Sequence, residues 1–370
     1  MKICNITCHD VYNHGASIQA YALMKYLKNN GHEVEIIDYK PDYLDRQYKL
    51  LSIDNEVWKK NFLKKFIYLT LKIPGRIISL KRKSEFDKFK KENLILTNKK
   101  YKSNEELKKD LPDADAYICG SDQIWNSIHM NGRDLAFYLD FVPDNKIKFS
   151  YAASFATDEI EDKYKSIVRR AIARLDGIGI REKSGVEIVK RLGFNNAVNV
   201  VDPVFLLKKE EWDKIATENF NEKYILVYDF DKSDLIKKIS IEISRKKGLK
   251  IYTINSDKPK YADKHFNLSG PNTFISLVKN AEFIVSNSFH AIVFSIIYEK
   301  NIIIVNRNEE INTRMRDLLN DLGLNNRLVD ADYNIENLIE DIDYSKSNEI
   351  IRNKINLSKD YLKKTLAIKK

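Results

Sequence analysis

The sequence predicts an α/β protein: two Rossmann-like domains with parallel sheets, facing each other across an interdomain cleft. Three features predict it. Short apolar runs alternate with amphipathic stretches at helical spacing, the pattern of parallel βαβ units. The alternation runs twice, with an interruption at 203–212. At ~150 residues per domain, a chain of 370 residues suits two domains.

The first series opens with a buried strand over 2–8 and a polar loop over 10–15. Ser17 is placed to cap a helix running to Asn29, with Ile18, Tyr21, Ala22, Leu23, Tyr26 and Leu27 on its inner side. Gly31 ends that helix, and 34–39 is the second strand. Strands follow over 116–119, 148–153, 177–180 and 197–201, with helices over 162–175 and 184–192. The second series repeats the scheme, with strands over 224–228, 250–254, 283–285 and 302–305 and helices over 235–246, 273–280 and 291–298. This divides the chain into an N-terminal domain over 1–205, carrying a basic helical insertion near 56–110, and a C-terminal domain over 206–345. A Lys-rich C-terminal helix over 346–370 is expected to pack back on the first domain or to fray.

Apolar residues at 43% against 31% charged supply a sizeable core, which excludes wholesale disorder. No apolar stretch approaches the ~20 residues of a membrane span. The first residues carry no secretory pattern, and three Cys make no closed disulfide framework, so the expected home is the cytoplasm. Cys4 and Cys8 form no CxxC pair and read as buried strand residues rather than metal ligands. GxGxxG, P-loop and GxSxG motifs are all missing, which removes dinucleotide, P-loop and hydrolase-elbow readings.

The net charge of +10 is concentrated. The window 59–91 holds twelve Lys or Arg and two acids, a local +10 on an otherwise neutral chain. It also carries Phe62, Phe66, Ile67, Leu69, Ile77 and Ile78, and Pro74-Gly75 is expected to break it into a helical hairpin. Its apolar side either packs on the domain or rests on an anionic membrane surface. It carries no nucleic-acid motif.

In open parallel sheets ligands sit beyond the carboxyl ends of the strands, so the residues there are weighed first. His290 lies where a strand runs into a helix, beside backbone N–H groups suited to an anion; such an imidazole either donates a proton or merely caps the helix. Arg181 ends a strand in a chain with 15 Arg against 48 Lys. Its planar fork suits a carboxylate or phosphate, or an ion pair with Glu182 or Asp202. Asn13-His14-Gly15 is either a ligand-admitting turn or a plain βα turn. Ser121-Asp122-Gln123-Ile124-Trp125-Asn126 sets polar groups beside an aromatic face, as a sugar requires, or is a loop around a buried Trp. Arg314 and Arg316 follow Asn312-Thr313 at a helix start, a solvated face in the plain reading.

Taken in order, these stretches resemble the polysaccharide pyruvyl transferase family. The run from Asn13 to Leu23 and the run Cys119-Gly120-Ser121-Asp122-Gln123-Ile124-Trp125-Asn126 open the likeness. Ser150 to Phe155, Ile180 to Gly185, Val201-Asp202-Pro203, Ser286 to His290 and Asn312 to Leu324 continue it. The likeness spans about 1–330, with the basic window as a variable insertion. It implies a glycosyltransferase-B-like architecture and a transfer of the enolpyruvyl group of phosphoenolpyruvate onto two hydroxyls of a sugar. The product would be a pyruvate ketal on a bacterial surface polysaccharide precursor, as in exopolysaccharide or capsule biosynthesis. Phosphoenolpyruvate would be a co-substrate, with no further cofactor and no metal. The partner would be a sugar or lipid-linked oligosaccharide acceptor at the inner face of the cell membrane, with peripheral membrane contact through 59–91 and no nucleic acid.

By the same likeness, His290, Arg181 and Asp122 would be catalytic. Arg181, Asn287, Ser288, Phe289, His290 and Arg314 would bind the donor. Asn13, His14, Gly15, Ser121, Gln123, Trp125 and Asn126 would bind the acceptor. One departure stands out: where related sequences carry Arg before the apolar-His pair, this chain has Ser288, and Arg314 or a Lys is expected to take over the missing anion anchor. A glycosyltransferase using a nucleotide sugar, or a non-catalytic relative, is the alternative reading of the same shape.

Overall fold

The computed structural model describes residues 1–44, 61–309 and 311–369. The part of the expected insertion and basic window before residue 61 lies outside these. Among the described residues the N-terminal sheet has seven parallel strands, β1 (Lys2–Ile6), β2 (Glu33–Tyr39), β3 (Leu96–Tyr101), β4 (Ala116–Asp122), β5 (Ile147–Ala153), β6 (Gly177–Ile180) and β7 (Ala197–Asn199). Their spatial order is β3-β2-β1-β4-β5-β6-β7. The C-terminal sheet contains β8 (Tyr224–Tyr228), β9 (Lys250–Thr253), β10 (Lys264–His265), β11 (Phe283–Ser286), β12 (Asn301–Val305) and β13 (Leu328–Val329), ordered β10-β9-β8-β11-β12-β13. Every pairing is parallel, from β1–β2 to β12–β13. These are two parallel α/β domains.

The strand order reverses direction between β1 and β4 and again between β8 and β11. Chain segments leaving neighbouring strands diverge there and leave a crevice at their carboxyl ends. The two crevices meet through a shared apolar core that includes Ile18, Val204, Trp212, Phe274 and Phe289. Trp212 is central to it. Its ring meets Tyr21 at 5.8 Å and Phe294 at 5.1 Å, both edge-on, and its Nε1–H donates to the Val204 carbonyl at 3.2 Å. Edge-to-face rings contribute about 0.5–1.5 kcal/mol each beyond simple burial.

Several elements differ from the sequence reading, three of them in the first domain with an identifiable cause. The first helix runs His14–Asn29 and is capped by Asn13, whose Oδ1 accepts from the Ala16 N–H at 3.2 Å, rather than by Ser17. The segment Phe62–Asn93 is one helix, not a hairpin broken at Pro74-Gly75. A proline removes one backbone donor and disfavours the interior by about 3 kcal/mol, which a 32-residue helix anchored by buried Phe86 and Phe89 tolerates. The edge strand β3 had no apolar run to betray it: Thr97, Asn98, Lys99 and Lys100 are all polar.

The C-terminal helix, Ser345–Leu366, crosses from the second domain onto the first. Its Ser358 Oγ accepts from the Val201 N–H at 2.9 Å, and Lys354 reaches the Asn199 side chain at 2.8 Å. Tyr361 donates to the Ser150 carbonyl at 2.8 Å, against glycines of β6: a Cβ on Gly179 would fall 2.8 Å from the Tyr361 ring and 2.7 Å from the Ser150 oxygen. Real Cβ atoms do not approach that closely. Tyr361→Phe is therefore expected to destabilise by about 1 kcal/mol, the net worth of one hydrogen bond. Gly179→Val, which cannot fit beside the ring, is expected to destabilise by more, on the order of 2–3 kcal/mol. Urea unfolding of the two variants checks the order.

Candidate active site

Each strand end contributes one polar residue to a common point. Asp202 follows β7 and is fully buried. Arg181 follows β6 and donates from Nη1 to Asp202 Oδ2 at 2.8 Å. Ser121, in β4, accepts from the same Nη1 at 3.2 Å and donates to Asp202 Oδ2 at 3.2 Å. From the second domain, the helix Phe289–Ile297 brings His290 Nε2 to 3.5 Å from Asp202 Oδ2. One carboxylate thus tethers a guanidinium of one lobe and an imidazole of the other. Burial opposes the charge on Asp202, but His290 first and Arg181 second outweigh it and hold its carboxyl well below the usual carboxylate range.

Phe289 is the platform beside this tether. The Arg181 guanidinium lies 4.6 Å from its ring centroid and that of Arg314 5.4 Å. Two cations on one ring repel, and Arg314, fully enclosed, is pushed down to about 10 by burial and then by Arg181. Buried polar atoms without a hydrogen-bond partner gather here: Arg181 Nε and Nη2, Arg314 Nε, Thr313 Oγ1 and Ser184 Oγ. Buried donors are normally satisfied, so a cluster of free ones marks a place suited to an anion. Glu182 is their acidic neighbour. Its Oε1 accepts from Ser154 Oγ at 3.0 Å and from the Phe155 and Ala156 N–H groups at 2.8 and 3.1 Å, Oε2 is unpartnered, and burial pushes its pKa up against the Arg181 charge. The loops that aim these groups are strained: Asp122 and Ala156 hold φ of 78° and 60°, left-handed values that non-glycine residues rarely adopt.

The residues expected to bind an acceptor divide. Ser121 joins the Asp202 tether. Asp122 stands at its edge, Oδ1 lying 4.0 Å from Arg181 Nη2. Gln123 and Asn126 bond each other at 2.9 Å and hold the loop closed. Trp125 is a correction. It is fully buried, stacked on Tyr138 at 5.1 Å with its indole N–H on the Phe137 carbonyl, so it offers no face to a sugar. Asn13 is spent as a helix cap. Gly15 has a different use: a Cβ there would overlap the His290 imidazole, so the missing side chain is what lets the catalytic candidate sit across the domain boundary. His14 is buried among Phe86, Phe274 and Tyr228, not presented on a turn.

Among donor candidates, Asn287 is also structural, bonding Asp229 at 2.9 Å and receiving the Phe230 N–H at 2.9 Å. Ser288 precedes the His290 helix without capping it through its side chain. The sequence reading missed Thr313 and Ser184, although both lie within the motifs already noted; the Arg181–Asp202 ion pair it offered is present, and what it missed is that His290 meets the same carboxylate. Among the described residues no group of three His, Cys, Asp or Glu is arranged to hold a metal, and no helix is long and apolar enough to cross a membrane.

A cavity of 810 Å³ opens at Thr313, beside Arg314. Ser127, Ile128, residues 157–162, Asn312 and Arg316 complete its wall. It spans the two lobes, and Arg316 bridges them by a two-pronged pair with Asp158 at 3.0 and 2.7 Å.

Two parallel α/β lobes closing on a cationic cleft define a glycosyltransferase-B-like protein. The family model for polysaccharide pyruvyl transferase matches residues 13–309, and the chain belongs to that family. No curated protein matched it. Among solved structures, the UDP-GlcNAc 2-epimerase of Methanocaldococcus jannaschii, in complex with UDP-GlcNAc and UDP, is 15% identical over 95% of this chain and 99% of its own, with a TM-score of 0.50. The UDP-GlcNAc 2-epimerase of Neisseria meningitidis is 11% identical over 98% and 100%, with a TM-score of 0.49. The spinosyn forosaminyltransferase SpnP is 11% identical over the full length of both chains, with a TM-score of 0.48. At these identities the likeness concerns the fold alone.

The tether has a pH signature. Because the folded state depresses the Asp202 pKa below its unfolded value of about 3.9, its contribution is complete above about pH 4 and is lost as the solution becomes more acidic. Asp202→Asn leaves Arg181 buried without its counter-charge and is expected to destabilise by about 3–5 kcal/mol at neutral pH. The gap in melting temperature between wild type and Asp202→Asn should narrow below about pH 4, which scans from pH 7 to pH 3 check.

Proposed function

We propose that the protein transfers the enolpyruvyl group of phosphoenolpyruvate onto two hydroxyls of a sugar in a bacterial surface polysaccharide precursor, forming a pyruvate ketal. The observation that carries this reading is the set of unpartnered buried donors on Arg181 and Arg314 around Phe289, 3.5 Å-tethered through Asp202 to His290. The donor brings a carboxylate and a phosphate, two anions that match two guanidiniums. Arg314 supplies the second cation where Ser288 replaces the arginine common in related sequences.

In this reading, protonated His290 gives its proton to the methylene carbon of the donor, making a methyl group and an electrophilic C2. Asp202 holds the imidazole, and Gly15 leaves room for it. One sugar hydroxyl attacks C2, the C2–O bond to phosphate breaks, and the second hydroxyl attacks the same carbon. Of the two hydroxyl protons released, one returns to His290 and the other leaves with phosphate. Asp122, at the edge of the donor cluster, is the carboxylate offered to the incoming hydroxyl, and the 810 Å³ cavity is space for sugar residues of the precursor beyond the one that reacts. General acid catalysis contributes ~10²–10⁴ in rate, so His290→Ala should lose about that factor in phosphate release from phosphoenolpyruvate with acceptor present, and should also lower the melting temperature, because Asp202 loses one of its two compensating groups. Gly15→Ala should lose comparable activity by displacing the ring. Arg314→Gln should chiefly raise the KM for phosphoenolpyruvate. Stabilisation of the protein by a nucleoside diphosphate but not by phosphoenolpyruvate would favour the nucleotide-sugar transferase instead.

The acceptor is proposed to be presented at the inner membrane face, where the basic helix Phe62–Asn93 exposes Phe66 and Ile78 among its lysines. Co-sedimentation with vesicles containing anionic lipid should fall sharply in a Phe66→Glu, Ile78→Glu double variant. Equal sedimentation of the two proteins would remove the membrane role.

A further inference from the structure

A second group of unsatisfied polar atoms lies on the other side of His290 from the donor cluster. It is built on a strip of aromatic rings that runs from one lobe to the other. Arg82 sits 5.2 Å over the ring of Phe86. Phe86 stands 4.9 Å from His14, and His14 stacks on Phe274 at 5.3 Å and meets Tyr228 edge-on at 5.7 Å. Tyr228 lies 4.7 Å from Phe230, and the Arg307 guanidinium lies 4.8 Å over Phe230. The strip thus has a guanidinium at each end, Arg82 from the N-terminal lobe and Arg307 from the C-terminal lobe.

Its middle carries polar atoms with no partner. Both ring nitrogens of His14 and the Tyr228 hydroxyl are buried and unbonded, with their residues 1% and 4% exposed. Burial first, and the Arg82 charge second, push the His14 pKa well down, so the ring is a neutral donor and acceptor. Arg307 pairs through Nη2 with Asp231 at 3.2 Å and Glu309 at 3.3 Å, which leaves Nε buried and free. Arg82 has no carboxylate partner among the described residues, and its guanidinium rests on the Phe86 ring. Leaving such groups unsatisfied is costly, and a neutral histidine, a phenol and two guanidiniums together suit a multiply charged oxyanion. The strip reaches solvent at Phe230, 39% exposed, which provides an apolar face beside that anion.

We propose that this strip is a second anion site, separate from the donor site, and that it holds the diphosphate of a glycosyl diphosphate acceptor. Arg82 supplies the uncompensated positive charge, His14, Tyr228 and the free Nε–H of Arg307 donate to the diphosphate, and Phe230 takes the adjoining apolar or planar group. The packing of Gly15 against His290 sets the strip one residue from the imidazole, so a sugar attached to that diphosphate is presented to the reacting carbon. The assignment of the ligand as acceptor rests on the pyruvyl-transfer reading; the anion site itself does not.

Inorganic pyrophosphate is the probe, titrated calorimetrically into the full chain with and without saturating phosphoenolpyruvate. Pyrophosphate is expected to bind in both conditions, more weakly as ionic strength rises. Arg82→Gln should weaken it ~10-fold or more, the scale of a lost charge-assisted contact, with an unchanged melting temperature and phosphoenolpyruvate affinity within twofold. Arg314→Gln should do the reverse. No pyrophosphate binding at millimolar concentration, binding unaffected by Arg82→Gln, or binding abolished equally by Arg314→Gln each overturns the site. If phosphoenolpyruvate neither binds nor reacts while pyrophosphate still binds through Arg82, the transfer reading fails and the anion site stands. Two further ligands separate the sources of the diphosphate: tighter binding of UDP than of pyrophosphate indicates a nucleotide-linked acceptor, and tighter binding of farnesyl diphosphate a lipid-linked one.

Discussion

Asp202 carries its charge where water does not reach, and it can do so only because Arg181 lies 2.8 Å away and His290 3.5 Å away. An isolated carboxylate at such a depth would take up a proton. Here the two lobes supply the compensation jointly, Arg181 from the end of β6 and His290 from the start of a C-domain helix. The consequence is geometric. The charge balance is complete only when the lobes are in this register, so the interaction that stabilises the carboxylate also fixes the distance between the guanidinium and the imidazole. Buried ion pairs add little net stability over apolar packing, and their benefit lies in specifying position. That is the property a two-lobed site needs.

The apolar contacts around the tether serve the same end. Trp212 joins the first helix of one lobe to a helix of the other, and the helix Ser345–Leu366 straps the C-terminal lobe back to β5 and β6 through Tyr361. Both contacts are short-range and densely packed, so rotation between the lobes would open cavities rather than slide surfaces. Gly15 extends the logic to a single atom. The first helix approaches the His290 helix so closely that a methyl group would displace the imidazole.

The sheets were legible because buried parallel strands are apolar along their whole length. β6 and β8 match their sequence spans, 177–180 and 224–228, since each is bounded by polar residues that cannot be buried without partners. β3 was not legible, because an edge strand half open to solvent keeps the composition of a loop. Pro74 misled, because local propensity yields to a long helix anchored elsewhere. In the site, the strand-end rule located Arg181, Asp202 and His290 and offered the Arg181–Asp202 pair, but not that His290 would reach the same carboxylate from the other lobe. Trp125 shows the limit: a tryptophan in a polar loop looks like a sugar platform, yet its stacking partner Tyr138 lies thirteen residues on, beyond any local pattern. The strip from Arg82 to Arg307 is assembled from five separate segments and has no signature in any of them.

Ser288 leaves the segment that carries His290 without a guanidinium of its own. A guanidinium at 288 would come from the segment that also carries His290, so the anion anchor and the proton donor would share one loop. In this chain the second guanidinium comes from Arg314, on a different helix, and reaches the same ring of Phe289 from its own direction. Burial first, and the Arg181 charge second, lower its pKa. Asp202 pairs with one of these like charges, and Asp122 and Glu182 offset part of the repulsion on the other. The two guanidiniums therefore differ in role: Arg181 is bound into the Asp202 tether, while Arg314 keeps a buried Nε without a partner.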